Sequence, residues 1–254
     1  MSELRLNTDG HIIKFGADND INITHVADTG LTTNGAFTAS GSITVEGATP
    51  TLTIGDAGAE DTKIVFDGNA QDFHIGLDDT DDSIKIGLGS ALGTTAHIIS
   101  DATGAVTKPL QPAFLAVSQE VTGALTDIAT DNSNNDLRFA TEVFDQNGDY
   151  NAANGIFTAP VAGRYLFSFN VRLAEIDSAA TYVALRYISS NRSIDVNILR
   201  PLFAGDLDRY TITGSIIGDM DASDTAKLTM AQSGGTAQMD IESAHGTFSG
   251  CLLA

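Results

Sequence analysis

FDQNGDYNAANGIFTAPVAGRYLFSFNVRL, residues Phe144 to Leu173, is the stretch that decides the fold. Its last third sets a ring at every second position, Tyr165, Phe167 and Phe169, so all three face one side of a strand. Just upstream, Gly155 turns the chain into an Ile156-Phe157 strand. Pro160 and Gly163 bracket a tight turn, Pro for its fixed φ and Gly for a positive φ. Outward from this centre the same texture continues: PAFLAVS (112–118), TYVALRY (181–187), RYTITGSIIG (209–218), DTAKLTM (224–230) and HGTFSGCLLA (245–254). These are runs of about 6–10 residues rich in Val, Thr, Ile and Tyr and separated by turn residues, which predicts an antiparallel sandwich. Phe248 is expected to point into its core, and Cys251, beside Leu252 and Leu253, reads as a small buried hydrophobe.

The chain has 254 residues, enough for one large domain or two modest ones. Asp and Glu number 33 against 13 Lys and Arg, a net charge of −20. That balance argues against nucleic acid or an anionic membrane as the main partner, because phosphate binding rests on clustered cations. No apolar run approaches the ~18 residues of a membrane span. The start, MSELRLNTDGH, lacks the basic-then-apolar layout of a signal peptide, so the expectation is a protein made in a cytoplasm. One cysteine excludes an intrachain disulfide framework and a cysteine-based zinc site.

Composition breaks near Lys108-Pro109. Residues 1–107 carry a net −12 and the remainder −8. Only four of the seventeen aromatic residues (Phe15, Phe37, Phe66, Phe73) precede the break. Large rings carry much of the burial energy of a core, so residues 108–254 can build a globular domain, whereas 1–107 are poorly equipped to do so alone. The first part reads as a procession of short strands: HIIKFGADND, INITHVADTG, GSITVEG, then TLTIGD, TKIVFDG, DFHIGLDD, DSIKIGLG and AHIISDATG. Fourteen glycines in 107 residues punctuate it with turns. Helical and heptad periodicities are absent, as is Gly-X-Y. Ordering costs about 1–2 kcal/mol per residue, which such short strands must offset with partners. Three copies wound about one axis would supply them; the competing reading is a disordered acidic arm. The texture resembles the Gly/Asp/Thr-rich shafts of bacteriophage tail and head fibres.

The Phe144–Leu173 stretch resembles the signature of the complement first-component q-subunit globular head, a family that shares a ten-strand jelly roll with the tumour necrosis factor superfamily. PAF at Pro112–Phe114, Asn147-Gly148 before Tyr150, and TFSGCLL at Thr247–Leu253 stand where that pattern wants them. The resemblance implies a jelly roll that assembles as a trimer, matching a shaft that also wants three chains. The animal relatives are secreted and follow a collagen stalk, and here a fibre-like shaft takes the stalk's place. The expected fold class is therefore all-β: an N-terminal trimeric β-rich fibre shaft (1–107) followed by a C-terminal jelly-roll β-sandwich head (108–254).

Catalytic and ligand motifs are scarce. GLGSALG (Gly87–Gly93) has the wrong spacing for a phosphate loop and reads as turns. The run Asp78, Asp79, Asp81, Asp82 reads as a solvated turn, with a cation as the competing reading. In DNSNND, Asp131, Asn135 and Asp136 are weak candidates for a hard cation. The histidines (His11, His25, His74, His97, His245) are scattered, and His245 with Ser243 and Asp240 is a coincidence of sequence rather than a triad. No enzyme and no cofactor is expected. Strand alternation places four connections at the end away from the shaft: Asp127–Asp136, Glu175–Ala180, Ala204–Asp208 and Ser233–Thr236. TAPVAG (158–163) and SSNR (189–192) should face the shaft. Receptor-facing candidates are Asp131, Asn134, Asp136, Asp177, Asp206, Asp208 and Ser233, since binding residues tend to lie on loops held by a rigid scaffold. The function expected is a homotrimeric phage virion fibre, attached through its N-terminal region to another virion protein, with a head that binds a bacterial surface receptor or glycan. The alternatives are a structural head fibre or capsid decoration protein, and a depolymerase tailspike.

Overall fold

The computed structural model describes residues 12–15, 21–26, 30–33, 36–93, 95–117, 127–199 and 205–254. It divides into two compact units, Met1–Ile54 and Gly55–Ala254. In the first, β1 (Ile12–Phe15), β2 (Ile21–Val26) and β3 (Gly30–Thr33) form an antiparallel meander. His11 lies outside the described residues. The strands expected at 41–47 and 51–56 are absent: residues 36–61 are irregular, and Ile43, Val45, Leu52 and Ile54 are exposed. An alternating apolar run becomes a strand only when a neighbour completes its hydrogen-bond ladder, and among the described residues none does so there.

The second unit begins with an antiparallel meander: β4 (Thr62–Phe66), β5 (Phe73–Asp78), β6 (Ser83–Leu88), β7 (Ala96–Ser100) and β8 (Val106–Thr107). Register aligns Ile64, Ile75, Ile86 and Ile98 in one cross-strand row and Val65, His74, Gly87 and Ala96 in the next. Adjacent rows face opposite sides of a sheet, so one face is apolar and the other carries His74, Asp78, Ser83 and Lys85. Gly89 and Gly93, in the turn that follows β6, lie over that second face. The Gly89 carbonyl is 2.9 Å from His74 Nδ1, and a Cβ on Gly93 would sit 3.3 Å from Asp78 Oδ2. Positive φ at Gly89 and Gly93 agrees with the turns expected of GLGSALG. The acidic run is a turn with Asp79, Asp81 and Asp82 exposed, as read, and departs from that reading only at Asp78. Lys85 Nζ donates to Asp78 Oδ2 (2.6 Å) and Asp81 Oδ2 (2.8 Å), drawing Asp78 into a buried ion pair. These charge-assisted bonds hold both carboxyls below the usual carboxylate range.

The remaining strands are β9 (Ala113–Val117), β10 (Asn135–Asp136), β11 (Thr141–Asp145), β12 (Tyr150–Asn151), β13 (Ile156–Thr158), β14 (Gly163–Ile176), β15 (Ala180–Ser189), β16 (Ser193–Leu199), β17 (Leu207–Met220), β18 (Thr225–Gly234), β19 (Asp240–Ile241) and β20 (Thr247–Leu252). They form two antiparallel sheets, β12-β13-β18-β15-β16 with β10 on β18, and β11-β9-β20-β14-β17 with β19 on β14. Between them Tyr165, Phe167 and Phe169 are buried, as their alternation demands, and so is Phe248. Phe114 stacks on Tyr150 (4.7 Å between centroids) and Phe157 (5.2 Å) and meets Phe248 edge-on. Rings this size need backbone opposite them. Gly250 lies where a Cβ would come within 2.7 Å of Phe114 and 2.8 Å of Phe167.

The signature turns are built as read, with one exception. Asp145 accepts backbone N–H bonds from Gly148, Asp149 and Tyr150, bracing the turn that Gly148 makes at positive φ. Gly155, at φ +75°, lies against the Leu137 carbonyl. Gly163 does not take a positive φ; it is glycine because a Cβ would meet Leu252 Cδ1 at 2.6 Å and the Ala254 carbonyl at 2.8 Å. Cys251 is also a correction. It is half-buried, paired with Leu166 and Ala113 on the face of its sheet opposite to Phe248 and Gly250.

Candidate functional site

β14 runs the length of the head, about 43 Å over thirteen steps of ~3.3 Å, and separates two ends. At the Gly163 end, Arg164 N–H donates to the Ala254 carbonyl, Ser223 N–H to Ala159, and Asn191 Nδ2 to the Asp219 carbonyl. TAPVAG and SSNR therefore lie together there. This end also holds an open cavity of about 620 Å³ lined by Lys108, Leu110, Pro112, Asp149, Val161 and Leu253, among others. Burial, and then the neighbouring Asp145 carboxylate, raise the Asp149 carboxyl above its ordinary value.

At the Ile176 end the four expected connections converge, apart from Ala204, which lies outside the described residues. Ile128 N–H donates to the Met239 carbonyl, Gly234 N–H to Thr130, and Asn132 N–H to Gln232. Asp127 N–H donates to Asp240 Oδ1 at 2.7 Å. Ser178 donates through both N–H (2.9 Å) and Oγ (2.7 Å) to Asp206 Oδ1. The 127–136 and 233–238 segments are thus zipped together, while 175–180 is tied to 205–208.

The individual candidates separate into braces and exposed groups. Asp177 is a correction: it is 3% exposed. Its carboxylate accepts N–H bonds from Ala179 (2.7 Å), Ala237 (2.9 Å) and Thr236. Those bonds hold it below the usual carboxylate range and make it the knot between two loops, with no oxygen left for a receptor. Ser233 is half-buried and bridges Asp131 through the backbone. Asp131 accepts from Ser133 N–H, Asn135 donates to the Ser133 and Met230 carbonyls, and Asp136 pairs with Lys227 (2.7 Å). The three cation candidates do not converge on one point: Asp131 and Asn135 both bond Ser133, Asn135 also the Met230 carbonyl, while Asp136 turns to Lys227. Asn134, Asp206 and Asp208 are exposed, Asp208 pairing with Arg209 at 2.7 Å.

Two organising residues were not singled out from the sequence. Gln232, fully buried, donates to the Gly234 and Ala237 carbonyls and accepts from Met239 N–H, closing the loop that ends β18. Arg186 reaches Asn134 Oδ1 (2.6 Å), Asn132 Oδ1 (3.0 Å) and Asp195 Oδ1 (2.8 Å), clamping the polar loop to β15 and β16. A lone Gln in an apolar strand was the only signal for the first. Two of the arginine's partners, Asn132 and Asn134, are more than fifty residues away in the chain. The result is a rigid, polar and acidic loop platform, suited to recognition by surface complementarity.

Residues 119–253 match the C1q domain family. Among solved structures, the globular domain of zebrafish complement 1qA is 18% identical, covering 57% of this chain and 98% of its own, at a TM-score of 0.42. Murine APRIL at pH 8.5 is 10% identical, covering 56% and 99%, at 0.39. Eiger TNF from S. frugiperda is 9% identical, covering 57% and 94%, at 0.39. Comparison with curated proteins gives no match.

Proposed function

The chain belongs to the C1q domain family, and on that premise we propose that it is a homotrimeric virion fibre whose jelly-roll head presents its distal loop platform to a bacterial surface receptor. The observation that carries this reading is the bracing of four separate connections at the end of β14 away from residues 108–112. Loops so fixed bind without first losing conformational freedom. Trimerisation draws support from C1q/TNF-like homologues, which form homotrimers. It also draws on the face of the β9-β20-β14-β17 sheet turned away from the core, where Ala113, Cys251, Leu166 and Ile217 form one cross-strand apolar row. Ile217 is 59% exposed there.

The test is adsorption of virions carrying Asp131→Lys or Asp208→Lys heads, with the protein located on the virion by imaging and the melting temperature followed alongside. Reduced adsorption at unchanged melting temperature is expected. Adsorption unchanged in both variants, with the protein present on the particle, overturns receptor binding and favours a decoration protein. Absence of the protein from virions overturns the fibre reading.

A further inference from the structure

The sheet β4–β8 is inside out for an isolated chain. Its polar face is the buried one, holding His74, Asp78, Ser83 and Lys85, with Gly89 against His74 and Gly93 against Asp78. Its other face carries the row Ile64, Ile75, Ile86, Ile98, flanked by Phe66, Phe73 and Leu88 on one side and Leu77 and Ile84 on the other. Six of these are 37–60% exposed: Ile64, Phe66, Phe73, Leu77, Ile84 and Ile86. At the ~200 Å² a large apolar residue presents when free, that leaves on the order of 500 Å² of apolar surface uncovered. Soluble monomers reserve patches of that size for partners. The face carries no Lys, Arg, Asp or Glu, in a chain with a net charge of −20.

We propose that this face is covered by the same face of two further copies of the chain, so that three β4–β8 sheets enclose a shared isoleucine core about the molecular axis. The inference rests on the homotrimer reading and adds to it the shaft surface that the three chains share. Continuity with the head is what selects the occupant. Residues 108–112, between the sheet and β9, are pinned to the head: Gln111 Nε2 donates to the Leu252 carbonyl (2.7 Å), Gln146 Nε2 to Lys108 (2.8 Å) and Asn147 Nδ2 to Leu110 (3.0 Å). Heads that assemble in threes therefore hold three sheets at high mutual concentration on short, fixed links. An uncharged face also suits like copies, since each chain's charge would otherwise oppose the approach of the next. The polar face, with its Lys85–Asp78–Asp81 cluster, becomes the outside.

The test uses the full chain with Cys251→Ser as background and one new cysteine, Ile86→Cys on the apolar face or Val65→Cys on the opposite one. In the single chain these two positions are equally open, 37% and 38%, so any difference between them reports assembly. Native maleimide labelling is expected to be at least tenfold slower at position 86 than at 65. A short bis-maleimide is expected to join chains through position 86 and not through 65. Light scattering of the unsubstituted chain and of each variant gives the mass in parallel, and the mass of the unsubstituted chain decides the trimer reading. A mass of three chains with equal labelling at both positions overturns the shared shaft core and leaves the trimeric head standing. A single-chain mass overturns the trimer reading and this inference together. Should Ile86→Cys lose the trimer, Ile75→Cys on the neighbouring strand and the same face takes its place, with the same expected protection.

Discussion

Replacing Tyr150 with Phe removes one oxygen and tests how the signature stretch is locked. The Tyr150 hydroxyl donates to the Phe139 carbonyl at 3.1 Å and accepts from the Phe139 N–H at 3.2 Å, while both residues are buried, at 4% and 3% exposure. One hydroxyl therefore satisfies both backbone groups of a residue that has no ladder partner. Without it, both are left in an apolar core at about 1–3 kcal/mol for each unsatisfied group. Some relaxation leaves an expected loss of about 3 kcal/mol, which lowers the melting temperature by about 6–12 °C for a domain of this size. The ring itself, stacked on Phe114, is unchanged. The phenol adds a second signature. Burial pushes it up to about 12, from 10.0 in the unfolded chain. A group raised on folding contributes stability that is full below pH 10 and is lost as pH climbs through 12. That term is worth about 3 kcal/mol, and the variant lacks it. Urea midpoints of wild type and variant should thus differ most near neutrality and converge between pH 10 and 12. The difference in phenolate absorbance should titrate near 12, with Tyr165 and Tyr187 cancelling. A variant that melts within about 1 °C of wild type, or a gap that stays constant to pH 12, refutes the reasoning.

Gly250→Ala should cost stability despite adding only a methyl, since that carbon meets Phe114 and Phe167 below 3 Å; about 1–3 kcal/mol is expected from overpacking, read by urea denaturation. Asp177→Asn should flatten the acid limb of the stability curve. A carboxyl lowered on folding stabilises above about pH 3.9 and loses that contribution as pH falls through its folded value, so wild type and variant should converge at low pH. Arg186→Lys keeps the charge but not the three-way clamp on Asn132, Asn134 and Asp195. It should speed amide exchange in 131–136 several-fold while leaving the β14 amides unchanged.

The sequence by itself determined the all-β class, the sandwich head and the inward rings, because period-two alternation at Tyr165, Phe167 and Phe169 leaves a strand no other face to bury. Strand counting also placed the four distal connections at one end, since antiparallel neighbours must alternate ends. Only the tertiary structure decided what each loop residue does there. Asp177 and Asp206 read alike as exposed acids, yet one is the buried acceptor of three backbone N–H groups and the other faces solvent. Gly163 is required by the approach of Leu252 and Ala254 rather than by its own φ, a reason that lies some ninety residues away. Asp78 reads as solvated with the rest of its acidic run until the β5–β6 register, pairing it with Ser83, brings Lys85 two residues further along within reach of its carboxylate. The same register shows that in 62–107 the polar face is buried and the isoleucine face bare. Periodicity says which residues share a face, but which face is buried depends on what packs against it, and that is a property of distant chain rather than local pattern.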